Sequence, residues 1–149
     1  MSAAVNYTTG TASEEIILAH LLHCDSAFVP PLSSRVDIKG YAKKIHHTAN
    51  NFEAWASGEL IGLVAVYCNA QNRTGAFITN VSVLSGWHGM GVATQLLRNC
   101  VASARDLGFE RVELEVDINN IHAHRLYEKF GFLDMNGPAH SRRMAFSLA

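Results

Sequence analysis

The spacing of apolar positions along this chain switches repeatedly between the helical and the extended period. Ala4–Thr8 reads as a short strand. Ser13 then reads as a helix N-cap with Glu14 and Glu15 in the first turn, and Ile16, Ile17, Leu21 and Leu22 follow at helical spacing. The helix must end before Pro30–Pro31, because proline cannot donate and pushes its predecessor toward extended backbone. A second helix is expected from Asp37 to about His47, weakened by Gly40 at its centre.

The period then falls to two. Phe52–Ala56 and Leu60–Tyr67 flank Ser57-Gly58-Glu59 as a hairpin, Asn69–Thr74 reads as a polar turn, and Ala76–Leu84 makes a third strand. Helical spacing returns over Gly91 to about Leu107, where Val92, Ala93, Leu96, Leu97, Cys100, Val101 and Ala104 form one stripe, with Gly108 beyond the end. In Arg111–Ile118 the residues Val112, Leu114, Val116 and Ile118 face one way and Glu113, Glu115 and Asp117 the other. A short helix over Ile121–Phe130 stops at Gly131, and strands follow near Phe132–Met135 and Arg142–Leu148. The strand–helix–strand unit at 76–118 demands a right-handed parallel crossover, while the hairpins are antiparallel. The predicted fold is therefore α/β, of the α+β kind: one mixed sheet with helices on both faces.

Composition narrows the function classes. The 149 residues suit one domain, 1–149, and a formal net charge of −1 gives no basic surface for nucleic acid. No apolar run is long enough for a bilayer, and the start, MSAAVNYTTG, lacks the basic and apolar regions of a signal peptide. Cys24, Cys68 and Cys100 are odd in number and far apart, which predicts reduced thiols and a cytoplasmic protein. His20, His23 and Cys24 share a helix face as metal ligands could, but no second cluster completes a site, and no metal is expected.

The junction at 81–97, VSVLSGWHGMGVATQLL, carries the most chemistry. A strand ends, a Gly-containing turn follows, and an amphipathic helix starts at once, so unpaired N–H groups and the positive helix end converge on one point. That is an anion site. A nucleotide P-loop would need Lys and Ser or Thr after the second glycine, and neither is present. A dinucleotide site would need a small third residue where Thr94 stands, in a doubly wound sheet that the hairpins contradict. By itself, the turn is equally a simple tight turn.

Its context is more specific. His88, Gly91 and Ala93 occupy the positions of a Gln/Arg-x-x-Gly-x-Gly/Ala turn. Asn120, Ala123, Leu126, Tyr127, Glu128, Lys129, Gly131 and Phe132 match Asn-x-x-Ala-x-x-Leu-Tyr-(Glu-Lys)-x-Gly-Phe. Together these motifs, over about 76–133, resemble the GCN5-related N-acetyltransferase (GNAT) family. The resemblance implies acetyl-coenzyme A as cosubstrate, its pyrophosphate on the amides of Gly89, Met90, Gly91, Val92, Ala93 and Thr94. It implies a pantetheine arm paired with backbone around Val81 and Val83, where the strand splays from Leu114–Val116, and a contact from Asn120, which also reads as a helix N-cap. His88 and Met90 replace the usual basic residues of the turn, which leaves more of the anion to the amides and the dipole.

The resemblance also implies Tyr127 as the general acid at the coenzyme sulfur, with the Val81 N–H toward the thioester oxygen. Glu115, in Leu114-Glu115-Val116, resembles the base of the protein-N-terminal acetyltransferase branch. The bland alternatives are a packed tyrosine and a solvated or ion-paired strand face, and a water relay needs no single carboxylate. Family folds place the acceptor against Phe28, Leu32 and Arg35, between the first two helices. The expected reaction is acetyl transfer to the primary amine of a small metabolite in a ternary complex, by a monomer or homodimer. Competing readings are a protein N-terminal or lysine acetyltransferase, a non-catalytic acetyl-coenzyme A-binding module and a structural anion-binding domain.

Overall fold

In the computed structural model, which describes residues 4–69, 71–135 and 141–148, the elements appear in the predicted order. They are β1 (Asn6–Thr9), α1 (Glu14–Cys24), α2 (Ile38–Thr48), β2 (Asn50–Ala56), β3 (Glu59–Tyr67), β4 (Gly75–Val83), α3 (Val92–Asp106), β5 (Arg111–Asp117), α4 (Ile121–Phe130), β6 (Leu133–Met135) and β7 (Ser141–Ser147). Short 3-10 turns at Asp25–Ala27, Leu32–Ser34 and Ser85–Trp87 were not legible in the periodicity. β2 begins two residues before the expected Phe52 because Asn50 and Asn51 pair with Val66 and Ala65. Of the expected Asn69–Thr74 turn, Ala70 lies outside the described residues.

Three of the helices, α1, α2 and α4, start where capping chemistry puts them. Ser13 accepts from the Ile16 N–H, Asp37 from Gly40 and Asn120 from Ala123. The described strands form one sheet in the order β1-β2-β3-β4-β5-β7-β6, antiparallel except for β4 beside β5. Its two faces carry separate cores. On one, Leu60, Leu63 and Ala65 of β3 meet Ile17, Leu21, Ala42 and Ile45 of α1 and α2. On the other, Ile61, Val64 and Val66 meet Leu96, Leu97 and Cys100 of α3, with Tyr127 of α4 in the same cluster. A β3 with both faces covered explains why its sequence is an almost unbroken apolar run.

Gly62 sets how closely α3 approaches. A Cβ placed there would stand 2.9 Å from Val92 Cγ1 and 3.0 Å from Leu96 Cδ1. Since Val92 is the first residue of α3, this close packing fixes the helix start against the sheet.

β4 and β5 are the exception to regular pairing. They are in register only over Gly75–Phe77 and Arg111–Glu113, although β4 runs on to Val83 and β5 to Asp117. Past that point each keeps its outer partner, β4 with β3 over Phe77–Val83 and β5 with β7 to Asp117. The split starts at a bulge: Ala65 pairs with Asn80 and Val66 with Ile78, so Thr79 is the extra residue. The Tyr41 hydroxyl donates to the Thr79 carbonyl at 2.8 Å, giving the displaced carbonyl a partner.

Candidate active site

The split opens into a cleft of about 1060 Å³. One wall is β4, through Val81, Ser82 and Val83; a second is the turn and the start of α3; a third is α4. Cys24, Ala27 and Phe28 close the side next to α1.

The turn is built as its glycines suggested. Gly89 and Gly91 adopt φ of +77° and +79°, where a side chain is strained. Gly91 is also the N-cap of α3, and it has no side chain with which to cap. The first-turn N–H groups of Val92, Ala93 and Thr94 therefore lack a side-chain cap at the positive end of a fifteen-residue helix. Arg98, Arg125 and Lys129 line the same cleft, and no Asp or Glu does so among the described residues. The cleft is electrically suited to a polyanion.

The predicted binding residues mostly gather here. Val81, Val83, His88, Gly89, Gly91, Val92, Ala93, Thr94 and Asn120 line the cleft; Met90 does not, and its side chain points out, 65% exposed. His88 takes a contact that periodicity could not foretell: its Nε2–H donates to the Val83 carbonyl at 2.8 Å. An arm pairing at Val83 would compete with that imidazole for the carbonyl.

Tyr127 also lines the cleft, 8% exposed, with its ring edge-on to Phe132 at 5.9 Å. Burial raises its hydroxyl well above the ordinary tyrosine value, so it stays protonated and available as a donor. No hydrogen bond joins that hydroxyl to another described residue.

Glu115 stands elsewhere. It is exposed on the polar face of β5, its Oε1 3.6 Å from Nη1 of Arg143, and it is not among the cleft-lining residues. Arg143 also holds Glu113, at 3.1 Å, and packs over the Phe77 ring at 5.6 Å. This is the ion-paired strand face that the alternation left open.

The acceptor trio divides in the same way. Phe28 lines the cleft, and Arg35 lies over its ring at 5.9 Å, outside the cleft. Leu32 lies apart from the cleft: its 3-10 turn carries the side chain into the α1–α2 core, 3% exposed. An apolar side chain between two helices is held more strongly by the core than by an open cleft.

Sequence reasoning missed the cleft's cationic Arg98, its Trp87, and a polar group behind β4. There His20 Nδ1 meets the Leu60 carbonyl at 2.8 Å and its Nε2 meets Ser82 Oγ at 2.8 Å, while Asn80 Nδ2 donates to Ser82 Oγ at 2.9 Å. A signal existed: Asn80 and Ser82 are polar residues at buried alternate positions of a strand. Of the helix face shared by His20, His23 and Cys24, this network uses both ring nitrogens of His20.

Comparison with known proteins agrees with this architecture. The chain is 30% identical over 131 residues to N-acetylaspartate synthetase of Rattus norvegicus, covering 86% of this chain and 40% of that protein. It is 35% identical over 69 residues to GCN5-related N-acetyltransferase 4, chloroplastic, of Arabidopsis thaliana, covering 46% of this chain and 24% of that one. The chain spans between 24% and 51% of the length of the curated relatives it matches. In fold it is similar to the ribosomal-protein-S18-alanine N-acetyltransferase of Escherichia coli, with a TM-score of 0.77, 18% identity, and coverage of 98% of this chain and 95% of that one. No helix among the described residues is long and apolar enough to cross a membrane. The model of the acetyltransferase (GNAT) family matches residues 18–132, and the chain belongs to that family.

Proposed function

We propose that this chain is an acetyl-coenzyme A-dependent N-acetyltransferase acting on the primary amine of a small metabolite by direct attack in a ternary complex. The observation that carries the reading is the split between β4 and β5, opening beside an α3 start whose first amides have no side-chain cap. A long arm ending in a pyrophosphate fits that shape: the anion at the helix end, the arm along the unpaired edge at Val81. Arg98, Arg125 and Lys129 supply cations for its phosphates.

In the proposed reaction the amine nitrogen bonds to the thioester carbon and the carbon–sulfur bond breaks. The Val81 N–H faces the oxygen as negative charge develops. Tyr127 gives its proton to the departing thiolate. The proton lost by the amine leaves by water at the cleft mouth, with Glu115 as its carboxylate acceptor outside the lining. Glu115→Gln should then shift the acidic limb of the pH–rate profile; an unmoved limb assigns that proton to water alone.

A small acceptor is supported by the rat relative, whose name gives an acetylated amino acid as its product and which aligns with most of this chain. A second reading, acetylation of protein N-termini, is favoured by Leu114-Glu115-Val116 and by 26% identity over 83 residues to N-alpha-acetyltransferase MAK3 of Arabidopsis thaliana. Two assays separate the outcomes. Acetyl-coenzyme A should raise the melting temperature, and a panel of small amines and short peptides should be read by thiol release. Turnover with peptides alone removes the metabolite reading; stabilisation without any turnover removes the enzyme reading.

A further inference from the structure

The polar group behind β4 can be followed proton by proton. A carbonyl only accepts, so His20 Nδ1 must carry the hydrogen it shares with Leu60. Burial lowers the His20 pKa to about 4, so at neutral pH the ring is uncharged and Nε2 is a bare acceptor. Ser82 Oγ, 2.8 Å away, therefore points its own proton inward at His20. Cys24 Sγ is the other neighbour of Nε2, at 3.7 Å, and a thiol is the weaker donor. The Asn80 amide is oriented by its second bond, Nδ2 to the Leu63 carbonyl at 3.2 Å, so what it offers Ser82 is also an N–H.

The Ser82 oxygen thus gives away its proton, spends one lone pair on Asn80, and keeps the other. Since Ser82 lines the cleft, what it can present to a ligand is a neutral hydrogen-bond acceptor. We propose that Ser82 accepts an N–H from the incoming amine and so aims the nitrogen lone pair at the thioester carbon, with His20 as the positioning residue that keeps the serine's proton out of the cleft. This inference rests on the acetyl-transfer reading and adds a specific contact to it.

Geometry and charge favour the amine over the amides of the pantetheine arm. An arm paired with β4 lies in the plane of the sheet, whereas the Ser82 side chain stands off that plane toward His20 of α1, on a cleft that Cys24, Ala27 and Phe28 also line. A carboxylate in this place would hold the acceptor as an unreactive ammonium; a neutral oxygen binds the free amine without that penalty. The absence of Asp and Glu from the described cleft lining fits such a site.

The test compares wild type, Ser82→Ala and Ser82→Thr, using an amine that the wild-type protein acetylates in the thiol-release panel and acetyl-coenzyme A binding by calorimetry. Losing one such bond should lower kcat/KM for the amine about tenfold in Ser82→Ala, with the acetyl-coenzyme A Kd within about twofold. Ser82→Thr, which keeps the hydroxyl, should recover most of the rate. Nitrogen-15 spectra of the His20 ring should show the Nδ1–H tautomer, and an Nε2–H tautomer overturns the proposal whatever the acceptor is. Weakened coenzyme binding with unchanged amine kinetics overturns it too, as does a Ser82→Ala variant equal to wild type. A wild-type protein that binds acetyl-coenzyme A but acetylates nothing in the panel defeats the transfer reading itself, and this contact with it.

Discussion

Two buried polar clusters flank the same helix, α1, and they are finished to different degrees. Glu53, 0% exposed, sits under the segment that enters α1. It accepts from the Thr8 and Thr11 hydroxyls at 2.7 and 2.6 Å and from the Thr11 and Ala12 N–H groups at 3.0 and 2.9 Å. Across α1, the His20–Ser82–Asn80 group ends in an Asn80 Oδ1 without a hydrogen-bond partner among the described residues, and Ser82 faces the cleft. A closed network ties the chain to itself. An open one beside a cleft has capacity left for something else, and so does the Tyr127 hydroxyl opposite.

That contrast is breakable. Glu53→Gln puts an N–H2 where donors converge, and should cost about 3 kcal/mol in urea unfolding while leaving turnover per folded molecule intact. A loss under about 1 kcal/mol would remove Glu53 from its anchoring role. Tyr127→Phe should behave in the opposite way, with kcat down about a hundredfold and little change in stability or acetyl-coenzyme A binding. Unchanged kcat on an accepted amine would reduce Tyr127 to a packing residue.

Gly62→Ala probes the helix start shared by core and cleft. It should cost about 2 kcal/mol by overpacking and weaken acetyl-coenzyme A binding as α3 is pushed outward. If only stability changes, the position of α3 matters less to the cleft than the geometry suggests.

The smallest effect is a pH dependence. Burial alone would raise the Glu53 carboxyl, but the bonds from Thr11, Ala12 and Thr8 outweigh it and hold the group below its ordinary value. A depressed carboxyl stabilises the fold fully above the unfolded value of about 4.3, and that stability is lost as pH falls through the folded value. Wild type should lose urea stability across this acid range relative to Glu53→Gln; parallel curves would show that the carboxylate is not preferentially stabilised in the fold.

Element order was largely legible because capping residues and periodicity are local. Ser13, Asp37 and Asn120 cap the helices whose starts they announced. Phe28 and Leu32 mark where this reasoning stops. Four residues apart in one loop, both were expected at the acceptor, yet one lines the cleft and the other is buried between α1 and α2. Composition cannot separate them, since the direction of each side chain depends on how the 3-10 turn docks. Glu115 was likewise visible as a carboxylate on the polar side of β5, but its pairing with Arg143 depends on strand order.

The sequence by itself determined the Gly-containing turn, the helix that follows it, and the alternation that reads Ala76–Leu84 and Arg111–Ile118 as strands, because backbone preference and side-chain period act over a few residues. Only the tertiary structure decided that these two strands part after three paired residues, and that His20 reaches Ser82 sixty-two positions away. Both results come from packing, where a bulge at Thr79 and the docking of α1 select among geometries that short-range propensities leave equal.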